Sequence, residues 1–120
     1  MSHTMNIAIE MKDLMAVKSA AKRLGLKTWE GEVTLFSSKE NGFAVALPNW
    51  EYPIVIKADG KGIAYDNYNG RWGEEKELKK FQAFYGLEKA KREALKKGYR
   101  TYESVNEVTK EISLKIQVGR

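Results

Sequence analysis

Two stretches of the chain place apolar residues at helical spacing, and each stops at a glycine that is followed by a β-favouring run. The first stops before GLKTWE at 25–30 and the second before GYRTYE at 98–103, and the six positions match in character. Apolar residues three and four positions apart share one side of an α-helix, and glycine readily adopts the left-handed conformation that ends one. The sequence therefore predicts two helices, each followed directly by a strand. The chemistry of a helix end explains the match better than the alternative, an internal duplication.

The helix boundaries follow from residues with a known preference for helix ends. The first helix is predicted over residues 13–24, because the Asp13 side chain can accept hydrogen bonds from the free N–H groups of a first turn. The second pattern runs from Glu74 to Gly98. Within it, Gly86 predicts either a kink or close packing against the sheet.

The remaining segments favour β-structure. Met5, Ile7 and Ile9 alternate with other residues as in a strand that is apolar on one side. The other predicted strands lie within 26–36, 43–47, 54–57 and 63–65, and in YRTYESV and ISLKIQV near the end of the chain. The order β-α-β-β-β-β-α-β-β predicts a single α+β domain over 1–120, with two helices packed on one face of a mostly antiparallel sheet of about six strands.

Composition excludes several classes of site. The chain has no cysteine, which removes disulfides, thiolate metal sites and cysteine nucleophiles, and His3 is the only histidine. Most carboxylates of the second helix have a cation three or four residues further on, as Glu88 has Arg92 and Glu93 has Lys97, so we interpret them as solvated pairs. We therefore expect no catalytic residues, no metal and no cofactor, and a protein that is not an enzyme. The longest apolar run, FAVAL, predicts no membrane span.

An aromatic segment is the first candidate binding site. NWEY at 49–52 and YDNYNGRWG at 65–73 combine aromatic side chains with amides and an arginine, a mixture that can anchor a protein partner. The alternative is that the two tryptophans cover the end of the core. The candidate partner-binding residues are Trp50, Tyr52, Tyr65, Asn67, Tyr68, Arg71 and Trp72.

The second helix is the other candidate. Between residues 74 and 100 nine cations stand against five acids, which accounts for most of the net charge of +5. A basic helix can follow a phosphate backbone, so nucleic acid is a possible partner, with an ordinary charged outer face as the alternative. The candidate nucleic-acid-binding residues are Lys79, Lys80, Lys89, Arg92, Lys96 and Lys97.

Several segments resemble one known family. They are the MSH start, KDL at 12–14, LGL at 24–26, FQAFYGLEKAKREALKKGY at 81–99 and EISLKI at 111–116. The chain is similar to the uncharacterised family that includes hypothetical chloroplast reading frame thirty-five, found in plastids, cyanobacteria, other bacteria and phages. The resemblance implies a domain of unknown function without agreed catalytic residues. Separately, the first ten residues show no basic segment followed by an apolar block, the pattern of a secretory signal, so we expect a location in the cytoplasm, the plastid stroma or the cytoplasm of an infected cell.

Overall fold

The computed structural model describes residues 5–7 and 11–118, and its helices and strands follow the predicted order. His3 and Ile9 lie outside the described residues. A short 3-10 turn at Tyr68–Gly70 is the one addition to the predicted order within the described chain. The elements are β1 (Met5–Ile7), α1 (Leu14–Arg23), β2 (Thr28–Thr34), β3 (Lys39–Val45), β4 (Ile54–Lys57), β5 (Ile63–Tyr65), α2 (Glu75–Lys96), β6 (Arg100–Val105) and β7 (Ile112–Gln117).

The two helices end by the same motif, which confirms the prediction drawn from the matching segments. The terminal glycines have φ angles of 68° and 77°. Beyond them, the amide of Leu26 donates to the carbonyl of Ala21 and the amide of Tyr99 donates to that of Ala94, both at 2.9 Å. This is the Schellman arrangement, in which a left-handed glycine lets the chain satisfy the last helical carbonyls. At the other end of α1, Oδ1 of Asp13 accepts a backbone N–H at 3.2 Å, as predicted.

Strands β1 to β5 form one antiparallel sheet in the order β1-β5-β4-β3-β2. Alternate residues of the central strands point to the helices, so the predicted packing of both helices on one face is confirmed. Leu78, Phe81 and Tyr85 of α2 meet this face together with buried alanines of α1. The sheet residues of this core are Phe43, Val45, Ile54, Ile63 and Tyr65.

The opposite face of the sheet has its own smaller apolar cluster. Val33 on β2 and Leu35 just after it contact Ala44, Val55 and Ala64, which lie on β3, β4 and β5. Tyr52 packs against this cluster. These residues alternate with those that face the helices, as the period of two in a strand requires. The strand residues of the second cluster are Val33, Ala44, Val55 and Ala64. Tyr52 of the aromatic segment therefore lies on the side of the sheet that carries no helix, whereas Trp50 packs against the core on the helix side.

Strands β6 and β7 form a separate two-stranded hairpin, so the prediction of one sheet of about six strands is wrong in this respect. The cause is the length of α2, whose 22 residues extend about 33 Å at 1.5 Å per residue. The α2 residues of the core that faces the sheet, Leu78, Phe81 and Tyr85, all lie in its first half, whereas buried Ala94 near its end is not part of that core. Only the short connection at 97–99 separates α2 from β6, which packs back on α2. Gly86 is exposed on this unbroken helix, so the predicted close packing against the sheet is also wrong.

A cluster of ion pairs fastens the hairpin to both helices. The carboxylate of Glu103 on β6 accepts two hydrogen bonds from the guanidinium of Arg23, at 2.6 and 3.0 Å, and one from Nζ of Lys91 at 2.7 Å. Glu88 of α2 lies within 3.4 Å of both cations. The hydrogen bonds from Arg23 and then Lys91 lower the pKa of Glu103 from 4.5 to about 2.

This cluster predicts a pH dependence of stability. A carboxylate whose pKa is lowered by folding contributes stability above its unfolded pKa, and that contribution is lost as the pH falls through the folded pKa. Because the three side chains keep between 23 and 32 % of their surface exposed, we expect only about 1 kcal/mol. Glu103→Gln should lower the free energy of unfolding by that amount at about pH 7, and the difference from wild type should vanish between about pH 4.5 and 2. Urea titrations of both proteins across this range measure it, and a difference that is independent of pH would contradict the assignment.

Candidate functional site

The segment 66–73 is held in one conformation by its own hydrogen bonds. Oδ1 of Asp66 accepts the N–H of Tyr68 at 3.2 Å, and the carbonyl of Asn67 accepts the N–H groups of Gly70 and Trp72 at 3.0 and 2.9 Å. Tyr68 and Asn69 have φ angles of 48° and 53°. Two successive non-glycine residues in the left-handed region cost about 1 kcal/mol or more each and persist only where the surroundings impose them. The hydrogen bonds of the loop therefore hold it in a conformation that these residues would not adopt by themselves.

A second set of contacts clamps this loop to the segment 49–52. The N–H of Glu51 donates to the carbonyl of Trp72 at 2.7 Å, and Nε1 of Trp50 donates to the carbonyl of Glu74 at 3.0 Å. Gly73 lies directly against the indole of Trp50, at a place where a Cβ would overlap the ring. These contacts fix the two aromatic segments relative to each other.

Three of the predicted partner-binding residues belong to this support. Tyr65 is 4 % exposed and faces the main core, and Asn67 is 8 % exposed with Nδ2 donating to the carbonyl of Gly73 at 3.2 Å. The ring of Trp50 meets that of Tyr65 edge-on at 5.5 Å. Burial also raises the pKa of the Tyr65 hydroxyl, with the charge of Glu75 adding to the effect. Tyr65 and Asn67 therefore cannot touch a partner on the surface of this fold, and they position the residues that can.

Three of the other predicted residues, Tyr52, Tyr68 and Trp72, meet Phe36 in an outer aromatic cluster, which we define by these four residues. Trp72 is its centre, with ring centroids 4.8 Å from Tyr68, 5.1 Å from Phe36 and 5.6 Å from Tyr52. Phe36 and Tyr52 stack at 6.5 Å with an angle of 10° between their planes. The guanidinium of exposed Arg71 lies over the ring of Tyr68 at 5.2 Å. The structure thus brings Tyr52, Tyr68, Arg71 and Trp72 together.

Phe36 is the member that sequence reasoning missed. It stands in the four-residue loop 35–38 between β2 and β3, across which the N–H of Leu35 donates to the carbonyl of Ser38 at 2.8 Å. The sequence pattern placed Phe36 at the end of the strand predicted within 26–36, whereas β2 ends at Thr34. Two adjacent serines after Phe36 are the signal for the earlier turn. Even so, nothing local indicates that the loop reaches a tryptophan 36 positions away.

A buried carboxylate lies beneath the start of this loop. Asp66 has no solvent-exposed surface, and its Oδ2 has no hydrogen-bond partner in the described structure. Its Oδ1 supports the left-handed backbone of Tyr68, as described above. We therefore regard Asp66 as part of the loop's support.

The cations of α2 do not share one stripe. Successive residues of an α-helix are about 100° apart, so Lys79 and Lys97 lie on one side, and Lys80 and Lys96 lie about 100° to either side of it. All four are exposed. The other two candidates have acidic neighbours: Nζ of Lys89 lies 3.9 Å from Glu93, and Nε of Arg92 lies 3.7 Å from the carboxylate of Asp13.

The ion pairs of α2 also differ from those that the sequence predicted. Glu88 pairs with Lys91 and with Arg23 at the C-terminus of α1, and Arg92 instead lies near Asp13 at the N-terminus of α1. Glu93 pairs with Lys89 instead of Lys97. Spacing along one helix cannot reveal partners that come from other elements.

Among the described residues, no group of three or more histidine, cysteine, aspartate or glutamate side chains is arranged to hold a metal ion. Within the same residues, no helix has the length and apolar character needed to cross a membrane. Comparisons with protein-family models, curated proteins and solved structures found no match for this chain.

Proposed function

We propose that this protein is a non-enzymatic interaction module that binds a partner protein through the outer aromatic cluster and Arg71. The observation that carries the proposal is the exposure of Phe36, which is 53 % exposed although its ring contacts both Tyr52 and Trp72. Aromatic rings and arginine are enriched at the centres of protein interfaces, where large rigid side chains lose little entropy on binding. A loop that is already fixed by its hydrogen bonds reduces the ordering cost of binding further.

The chemistry of the cluster defines the partner segment. The rings of Phe36 and Trp72 offer an apolar surface, and the guanidinium of Arg71 can bind a carboxylate through two parallel hydrogen bonds, in the bidentate arrangement. The complementary segment carries an apolar or aromatic side chain beside an aspartate or glutamate. We also propose that the chain belongs to the uncharacterised family that it resembles, but this likeness assigns no activity, so the proposed function rests on the outer aromatic cluster.

Selection from a random-peptide display library tests the proposal. Peptides enriched on the wild-type protein should contain an acidic residue next to an aromatic one. Phe36→Ser should weaken their binding by about tenfold or more, as expected for the loss of an interface anchor. Arg71→Glu should weaken it as well, through repulsion of the peptide carboxylate.

Tyr102→Ser is the matched control, because Tyr102 is an exposed aromatic residue, 49 % exposed, on the distant hairpin. It should leave the affinity of the selected peptides unchanged. Peptides that bind the Phe36→Ser and wild-type proteins equally well would contradict the proposal.

Nucleic-acid binding by α2 is the second candidate function, favoured by the four exposed lysines Lys79, Lys80, Lys96 and Lys97. Their spread around the helix weakens it, because a phosphate backbone meets one side of a helix at a time. Titration with labelled single-stranded RNA and duplex DNA at about 50 and 200 mM salt distinguishes the two functions. Tight binding at the lower salt that is lost at the higher would favour α2, whereas binding through the outer aromatic cluster should change much less.

A further inference from the structure

The outer edge of β7 carries backbone groups that no other strand satisfies in the described part of the chain. Strand β7 pairs with β6 alone, and the hairpin joins neither edge of the five-stranded sheet. The fastening to the helices is made through β6, whose Glu103 binds Arg23 and Lys91. A two-stranded hairpin is marginally stable by itself, and an open edge is a template for pairing with another chain.

The side chains of β7 suit such pairing. Its apolar residues Ile112, Leu114 and Ile116 alternate with Ser113 and Lys115, so one face is apolar and the other polar. The apolar face remains partly open, since Ile116 is 41 % exposed and Val105 across the hairpin is 54 % exposed. No proline or positive φ angle interrupts 112–117, and one lysine is its only charge. The usual devices that protect a strand edge are therefore nearly absent.

A second copy of the same strand is the complementary partner. Antiparallel pairing about a two-fold axis at Ser113 places Ile112 opposite Leu114 of the other copy, on the apolar side. On the polar side it places Lys115 of each copy opposite Glu111 of the other, so that the axis generates two equivalent pairs of opposite charge. Cross-strand pairs of opposite charge and of apolar residues each stabilise a sheet, whereas an axis at Lys115 would set two lysines opposite each other.

We propose that the protein forms a two-fold symmetric dimer in which the β7 strands of two copies pair about Ser113 and join two hairpins into a four-stranded sheet. The interface is isologous, so each copy contributes the same edge and the assembly closes at two chains. It lies on the hairpin, away from the outer aromatic cluster, so it does not depend on the proposed function.

Single cysteines provide a direct test, because the chain has none of its own. Directly opposed residues of an antiparallel pair have Cα atoms about 4.5 to 5.5 Å apart, within the range of a disulfide. Ser113→Cys should therefore give a covalent dimer on mild oxidation of the intact protein. Ser104→Cys is the matched control, since Ser104 is also exposed and stands opposite Ser113 on β6, away from the axis. Equal crosslinking of the two variants, or a monomer at every concentration in light scattering, would overturn the proposal.

A charge exchange tests the register independently of cysteine. Glu111→Lys should raise the dimer dissociation constant, measured by analytical ultracentrifugation, by about tenfold, because it sets a lysine opposite Lys115 in each of the two symmetric pairs. Adding Lys115→Glu to the same chain should restore dimerisation, since each cross-strand pair is then again of opposite charge. Failure of the double variant to recover would overturn the register, and Phe36→Ser should leave the dissociation constant unchanged.

Discussion

Replacement of Gly73 by alanine should lower the free energy of unfolding by about 3 kcal/mol, because the added methyl group would overlap the indole of Trp50. The ring has little freedom to move away. It is hydrogen-bonded to the carbonyl of Glu74 at 3.0 Å and packs edge-on against buried Tyr65. Relief of the overlap must therefore separate the segment 49–52 from the loop 66–73. Urea unfolding measures the loss, and near-UV circular dichroism should show a changed tryptophan environment in the folded variant.

Gly86→Ala is the matched control for this substitution. Gly86 is exposed in the middle of α2, and a Cβ built there meets no atom within 4 Å apart from its chain neighbours and the adjacent backbone of the helix itself. Alanine favours the helix over glycine by about 1 kcal/mol, so this variant should be more stable than wild type. The same chemical change is thus expected to have opposite signs at the two sites. A Gly73→Ala protein as stable as wild type would show that the packing between Trp50 and the loop does not hold the site together.

The order of the elements could be predicted because it depends on local chemistry. Asp13 at the start of α1 and the glycines after both helices act within one turn of the chain, through the spacing of donors and acceptors. The alternation that separates Phe43 and Val45 from Ala44 is likewise a property of a single strand. Such signals are readable in any window of a few residues.

The division of the strands into two sheets is not local. It depends on how far α2 extends beyond the sheet that its first half covers, and the apolar patterns of β6 and β7 are the same whether they join that sheet or stand apart. The ion pairs that hold the hairpin are equally remote, since Arg23 and Glu103 are 80 positions apart. A sequence pattern gives the strands but not the sheet to which they belong.

Only part of the candidate site could be predicted, again because a sequence pattern reports local properties and not the packing of distant segments. The aromatic composition of 49–52 and 65–73 singled out two segments that do meet in the structure. Composition could not separate Tyr65 and Asn67, which face inward, from Tyr68 and Arg71, which face outward. That division follows from the two left-handed residues that reverse the chain at 68 and 69. Phe36 comes from another hairpin and has no signal in either segment.

Trp72→Ala should lower the free energy of unfolding by about 2 kcal/mol and also abolish peptide binding. Its ring touches those of Phe36, Tyr52 and Tyr68, and its removal takes the centre out of the outer aromatic cluster. Complete burial would make the loss larger, in the range of about 3 to 5 kcal/mol, but Trp72 is only partly buried. Thermal and urea unfolding measure the change in stability, and peptide titration measures the change in binding.

Arg71→Ala is the substitution to compare with Trp72→Ala. The exposed guanidinium of Arg71 contacts the ring of Tyr68 and belongs to neither apolar cluster of the described structure. Its substitution should change stability by no more than about 0.5 kcal/mol while weakening the binding of acidic peptides. If the two variants lost binding only in proportion to their loss of stability, the outer aromatic cluster would be a packing unit and not a recognition surface. If Arg71→Ala weakened binding at unchanged stability, packing could not explain the loss, because the rings of the cluster would still be in place to receive a partner.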